Sequence, residues 1–143
     1  MIRTIFAAVV LVFALKTASA QEIIKDTVGT SNVKNDYELP DNQFADWKSV
    51  EKIWYANEYD KIKEENKITL ACKTCNSFYM DVIIKVNGNG KLEYYKLTGS
   101  NNCGRAFNKA QEIRMMRMFF KFAYPSSLRN TTFKTRLGTA LKC

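Results

Sequence analysis

The residues of this chain best equipped for chemistry are its four cysteines: Cys72 and Cys75 in the run ACKTCNS, then Cys103 and Cys143. A C-x-x-C pair suits three tasks. It can exchange disulfides, supply half of a tetrahedral zinc site, or be stapled into structural bridges. Redox-active pairs usually open a helix whose N-terminus stabilises the thiolate. Here the motif leads into FYMDVIIKV, an alternating strand-like run, which argues against exchange. A four-cysteine zinc site would call for a second close pair, and Cys103 and Cys143 lie far apart in the sequence. The chain has no histidine, so no Ser-His-Asp or Cys-His pair, no histidine–zinc site and no imidazole pH switch can form. It also lacks a phosphate-binding loop and any recognisable motif of paired carboxylates. The chain therefore reads as a non-enzyme, with no cofactor and no metal expected.

The opening segment sets the compartment in which the thiols are expected to sit. MIRTIFAAVVLVFALKTASA has a positive start at Arg3, an apolar run from Ile5 to Leu15, and a small-residue cleavage site at Ala18-Ser19-Ala20. Residues 1–20 read as a signal peptide, with a mature chain starting at Gln21. The apolar run is interrupted by Lys16 before it reaches a spanning length, and no later stretch is apolar enough to cross a bilayer. The expected location is exported: periplasmic, or secreted and extracellular, with no stable membrane span after cleavage. Such compartments are oxidising, which favours structural disulfides at Cys72, Cys75, Cys103 and Cys143. Removing the leader takes away two bases and no acid, so the formal charge of +8 falls to +6. That balance suits acidic partners. No nucleic-acid-binding motif accompanies it, so no nucleic-acid partner is expected.

The elements that must position the cysteines follow from periodicity. Residues 21–45 are polar, with Gly29, Ser31, Asn32 and Pro40, and read as a tail or linker. Residues 46–143 read as one small domain. Asp46 to Glu65 is expected to be a helix capped by Asp46, with Trp47, Val50, Ile53 and Trp54 on its buried face. Core packing is the plainer role for both tryptophans than a ligand-stacking surface. Lys67 to Ala71 looks β-like. Phe78 to Val86 alternates, with Met80, Val82, Ile84 and Val86 on one face and Asp81 and Lys85 on the other. Asn87-Gly88-Asn89-Gly90 predicts a tight hairpin turn, because both residue types tolerate positive φ. Lys91 to Thr98 returns as the second strand. Arg105 to Phe122 is expected to be a helix with Ala106, Ala110, Ile113, Met116 or Arg117, and Phe120 on one face, beside a basic stripe of Arg114, Arg117 and Lys121. Tyr124-Pro125 stops it. Thr131 to Lys142 is the last strand, with Phe133, Leu137 and Leu141 on one side and Lys134, Arg136 and Lys142 on the other.

The order helix, strand, strand, helix, strand predicts an α+β domain with helices on one face of a three-stranded sheet. A right-handed crossover places the last strand beside the first and parallel to the second, giving the sheet order second, first, third. Cys72, Cys75, Cys103 and Cys143 then meet at one sheet end. Pairings that tie each member of the C-x-x-C to a distant cysteine are preferred, because long loops restrict the unfolded chain by about 3–4 kcal/mol each. Two such pairings remain open.

The run MDVIIKVNGNGKLEYYKLTGS, then FNKAQEIRMMRMFFKFAYP, then TTFKTRLGTALKC resembles the C-terminal domain of TonB-type energy transducers. The resemblance covers about the last half of the chain and implies the same strand–turn–strand–helix–strand topology. It departs from that family in its cleavable-looking leader, its lack of a Pro-rich spacer and its extra cysteines. The implied function is a stand-alone exported protein-interaction module. It would bind an extended protein or peptide segment, such as part of a membrane receptor, by strand addition at the last strand. Lys134, Arg136 and Lys142 are the expected binding residues, and they favour an acidic partner. The same charges would also protect a bare edge from aggregation. Arg136→Glu is expected to weaken an acidic partner without unfolding the domain. A small secreted disulfide-stapled effector is the alternative, for which Asn130-Thr131-Thr132 offers a glycosylation sequon. A C-x-x-C thiol–disulfide protein is the third reading.

Overall fold

A computed structural model describes residues 32–74, 77–99 and 105–141. The expected signal peptide at residues 1–20, the expected start at Gln21, and Cys75, Cys103, Lys142 and Cys143 lie outside the described residues. Helix α1 (Asp41–Trp54) runs through a π-helical turn (Tyr55–Tyr59) into α2 (Asp60–Glu65). Strands β1 (Phe78–Val86) and β2 (Leu92–Leu97) form a hairpin. A short strand β3 (Arg105–Ala106) precedes α3 (Lys109–Lys121), and β4 (Thr132–Thr139) closes the chain. The architecture is α+β. β1 lies in the middle, antiparallel to β2 on one side and to β4 on the other, which is the expected order of the long strands. β3 pairs with Phe78 and Tyr79 of β1, a stretch that β2 leaves uncovered.

Both helical layers pack on one sheet face. Met80, Val82, Ile84 and Val86 of β1 join Phe133 and Leu137 of β4 beneath Trp47, Trp54, Met115, Met116 and Phe119. Trp47 and Trp54 both stack on Phe119, with ring centroids 5.8 and 5.6 Å away. The tryptophans are thus fully buried core. The hairpin turn uses the Asn-Gly chemistry expected of it. Asn87 Oδ1 accepts from the amides of Asn89 and Lys91, and Gly90 takes a φ of +69°.

Several elements depart from expectation, each for a local reason. The first helix begins at Asp41, directly after Pro40, rather than at Asp46. Proline starts a helix well because its missing N–H is not needed there. Asp46 is an interior helical residue whose carboxylate accepts from the Ser127 hydroxyl. Of the segment read as linker, residues 34–45 are therefore part of the folded unit. The buried positions step from Trp54 to Tyr59, five residues, where an unbroken α-helix would bring up Glu58. The π-turn inserts that extra residue and turns Tyr59 and Ile62 inward. Ile53, expected on the core face, is 46% exposed.

Lys67–Ala71 forms no strand, and Lys67 leaves the helix with a φ of +51°. The second helix starts at Lys109, not Arg105. Asn108 caps it, accepting from the Gln111 amide at 2.9 Å while Gln111 Oε1 accepts from the Asn108 amide at 3.0 Å. Its buried face is Gln111, Glu112, Met115, Met116 and Phe119, so of the residues expected to face the core within this helix Met116 is buried while Ala110, Ile113 and Phe120 are exposed. The run IRMMRMFF offers two overlapping apolar stripes, and stacking with the two tryptophans selects one of them. β4 ends at Thr139, three residues before the expected limit.

Candidate functional site

The expected site is the outer edge of β4, so its backbone groups matter first. The amide of Val86 donates to Thr131 O. The β1–β4 register then turns the backbone groups of Phe133, Thr135 and Leu137 toward β1, and those of Thr132, Lys134, Arg136 and Gly138 outward. Two of the outward amides are occupied. Lys134 N–H donates to Lys34 O at 2.8 Å, as part of a parallel bridge between Asn35 and Lys134. Gly138 N–H donates to the Tyr55 hydroxyl at 3.1 Å, which itself donates to Gly138 O at 2.7 Å. The amides of Thr132 and Arg136 meet no acceptor among the described residues.

Side chains complete the picture. Register places Lys134 opposite Ile83 and Arg136 opposite Asp81, on the sheet face turned away from the helices. Arg136 holds Asp81 in a two-pronged contact, Nε to Oδ1 at 2.6 Å and Nη2 to Oδ2 at 2.8 Å. Its guanidinium also lies 4.4 Å from the Tyr79 ring centroid. The hydrogen bonds from Arg136 to Asp81 raise the guanidinium's pKa further. Arg136 is thus half committed within the sheet, whereas the Lys134 ammonium makes no ion pair among the described residues. Lys142, the third expected binding residue, lies outside the described residues.

Sequence reading missed the segment in front of α1. Residues 34–39 lie along the β4 edge, where they form a short 3-10 turn over Asp36–Glu38. Asp36 Oδ2 accepts from Thr135 Oγ1 of β4 at 2.9 Å and from Lys48 Nζ of α1 at 3.2 Å. Trp47 Nε1 donates to the same Thr135 hydroxyl at 3.2 Å, and Lys48 also reaches Glu51 at 2.8 Å. Burial alone would lower the Lys48 ammonium's pKa, but the hydrogen bonds and charges of Glu51 and Asp36 outweigh it and raise it. Burial also raises the pKa of the Glu51 carboxyl, against the pull of Lys48. The signal available in the sequence is Asn35 three residues before Glu38, a capping pattern, followed by Leu39-Pro40.

At the other sheet end, the described neighbours of the cysteines gather. Phe78 pairs with Thr139 on one side and with Arg105 on the other, and the Leu141 amide donates to Ser77 Oγ at 2.8 Å. Cys72 is half of a disulfide whose partner lies outside the described residues. It sits in a one-turn 3-10 helix ahead of β1, not at the N-terminus of an α-helix. A long helix dipole that would stabilise a thiolate is therefore missing at that position. Tyr55 and Tyr59 of the π-turn seal this end. The Tyr59 hydroxyl donates to Phe78 O at 3.1 Å and accepts from the Thr139 amide at 3.2 Å. Burial pushes the Tyr55 hydroxyl's pKa well up, so it stays neutral.

Arg114, expected in a basic stripe, is drawn into ion pairs with Glu58 and Glu65 across the helix layer. Among the described residues no helix is long and apolar enough to cross a membrane. Compared with protein-family models, with curated proteins and with solved structures, the chain matches none.

Proposed function

We propose that this chain is a non-enzymatic, exported protein-interaction module that takes up an extended partner segment by strand addition at the β4 edge. The observation that carries this reading is the pairing already present there. The chain's own Lys34 and Asn35 meet Lys134 in one backbone bridge, and this pairing supports strand addition at the edge. Lys134 and Arg136 place positive charge on one side of that edge, which favours an acidic segment. The amides of Thr132 and Arg136, without an acceptor among the described residues, offer further ladder positions. The export expectation rests on the leader and on the disulfide at Cys72.

The test is an amide chemical-shift titration of the mature chain with a synthetic peptide alternating Glu and Val. Shifts concentrated in Thr132–Thr139 and in residues 34–39 support strand addition at this edge. Shifts confined to Leu92–Leu97, or none at saturating peptide, refute it.

A further inference from the structure

Residues 34–39 occupy the edge that the proposed function needs. Their hold on it is thin compared with a true strand. β1 and β4 share eight register pairs, whereas this segment contributes one backbone bridge. One carboxylate, that of Asp36, joins it to both Thr135 of β4 and Lys48 of α1. Leu39 is its one buried apolar anchor, at 8% exposure, while Tyr37 is 70% exposed and Glu38 lies in solvent. Segments with few buried contacts and few backbone bonds open at low cost. The segment is also acidic, with Asp36 and Glu38 beside an edge that carries Lys134 and Arg136.

We infer that residues 34–39 form a displaceable strap that gates the β4 edge, and that the partner is an extended segment whose own acidic residue takes the Asp36 place between Thr135 and Lys48. This rests on the strand-addition reading and narrows it. The strap is a tethered copy of the ligand chemistry. A partner must match its backbone pairing at Lys134 and its carboxylate, and it gains the ladder positions at Thr132 and Arg136 that the strap leaves unfilled. Closure by the strap keeps a bare edge from pairing with other chains until a better-matched segment arrives.

The test compares the mature wild-type chain with Asp36→Ala and, as a second variant that leaves the strap's own sequence intact, Thr135→Val. The probe is the capped peptide KNDYEL added in trans, with KNAYEL as control. Amide hydrogen exchange is read at Lys134 and at the core positions Val82 and Ile84. The expected result is exchange at Lys134 faster by about tenfold in both variants, the size set by losing hydrogen bonds to a charged group. Core amides should stay unchanged in Asp36→Ala; in Thr135→Val, which also takes the acceptor from Trp47 Nε1, they should speed up less than Lys134 does. KNDYEL should restore Lys134 protection in the Asp36→Ala chain better than KNAYEL does, and the margin between the two peptides should shrink in Thr135→Val, which lacks the hydroxyl that the carboxylate accepts from. Equal acceleration of Lys134 and the core in both variants would show that Asp36 only holds the fold, and overturn the gate. Unchanged Lys134 exchange in both variants overturns it too, while leaving strand addition standing. Selective opening at Lys134 with no protection from either peptide refutes strand addition itself, and the gate with it.

Discussion

Replacing Gly138 with alanine should be among the most damaging single changes in this domain. Gly138 sits near the end of β4 with a φ of +96°, a backbone conformation that side chains with a Cβ rarely adopt. A Cβ there would overlap Phe78 O and lie 2.8 Å from Tyr79 Cα. Both neighbours are backbone atoms of the central strand, so neither can swing aside as a side chain would. Relief requires either rotation of the 138 backbone or separation of β4 from β1. Rotation breaks the paired hydrogen bonds with the Tyr55 hydroxyl, and separation disturbs the Tyr59 hydroxyl bridge between Phe78 and Thr139. Backbone strain of this kind costs about 1–3 kcal/mol. Overpacking against fixed atoms adds about 1–3 kcal/mol. Together they approach about 3–5 kcal/mol, a large share of the roughly 5–15 kcal/mol that holds a domain of this size. Thermal unfolding followed by far-UV circular dichroism reads this directly. At about 4–8 °C per kcal/mol for a small domain, the midpoint should fall by more than about 12 °C. Gly88→Ala is the matched control, since its Cβ would meet only the flexible Asn130 side chain, at 3.1 Å. Its midpoint should move by less than about 4 °C, within the usual range for a surface substitution. A Gly138→Ala midpoint within that same margin would refute the reasoning.

Two further perturbations separate binding from stability. Arg136→Glu puts a like charge against Asp81 and removes the cation from the Tyr79 ring, so it should cost about 1–2 kcal/mol of stability in urea titration. Arg136→Gln keeps the length without the repulsion and should stay within about 1 kcal/mol of wild type, making it the cleaner probe of an acidic partner. Glu51 is a buried carboxylate whose pKa is raised in the folded state, so folding takes up protons and stability falls as pH climbs from the ordinary carboxylate value through the raised one. Glu51→Gln should therefore flatten the acid-to-neutral decline, measured as the difference in unfolding midpoint between acidic and neutral buffer. A larger decline in the variant would contradict that sign.

Much of this fold was legible because its strongest signals are local. Asn87-Gly88-Asn89-Gly90 specified a hairpin, and the alternation of Met80, Val82, Ile84 and Val86 specified which face of β1 is buried. Strand order then followed from connection handedness. Helix α3 shows where local pattern runs out. Its apolar residues sit almost all round, and only the tertiary contact of Phe119 with Trp47 and Trp54 decides that Ile113 and Phe120 face solvent. The π-turn is invisible to a period of 3.6, because it is the break in that period. The β4 edge was located correctly, but its occupant was not. Residues 34–39 carry one apolar anchor and no repeat; Asn35–Glu38 before Leu39-Pro40 can signal a turn, but not its docking on Thr135 and Lys48, distant in sequence. Arg136 looked free as an alternating outward base. Its pairing with Asp81 depends on register, which the alternation alone leaves open by steps of two residues.

The most direct test of the central claim is amide exchange at Arg136 and Lys134 of the mature chain, with and without the acidic peptide. In the free protein the account predicts a protected Lys134, bonded to Lys34 O, beside a rapidly exchanging Arg136. With peptide bound, Arg136 should become protected as its outward N–H gains an acceptor. An Arg136 amide that exchanges equally fast at saturating peptide would contradict strand addition at β4.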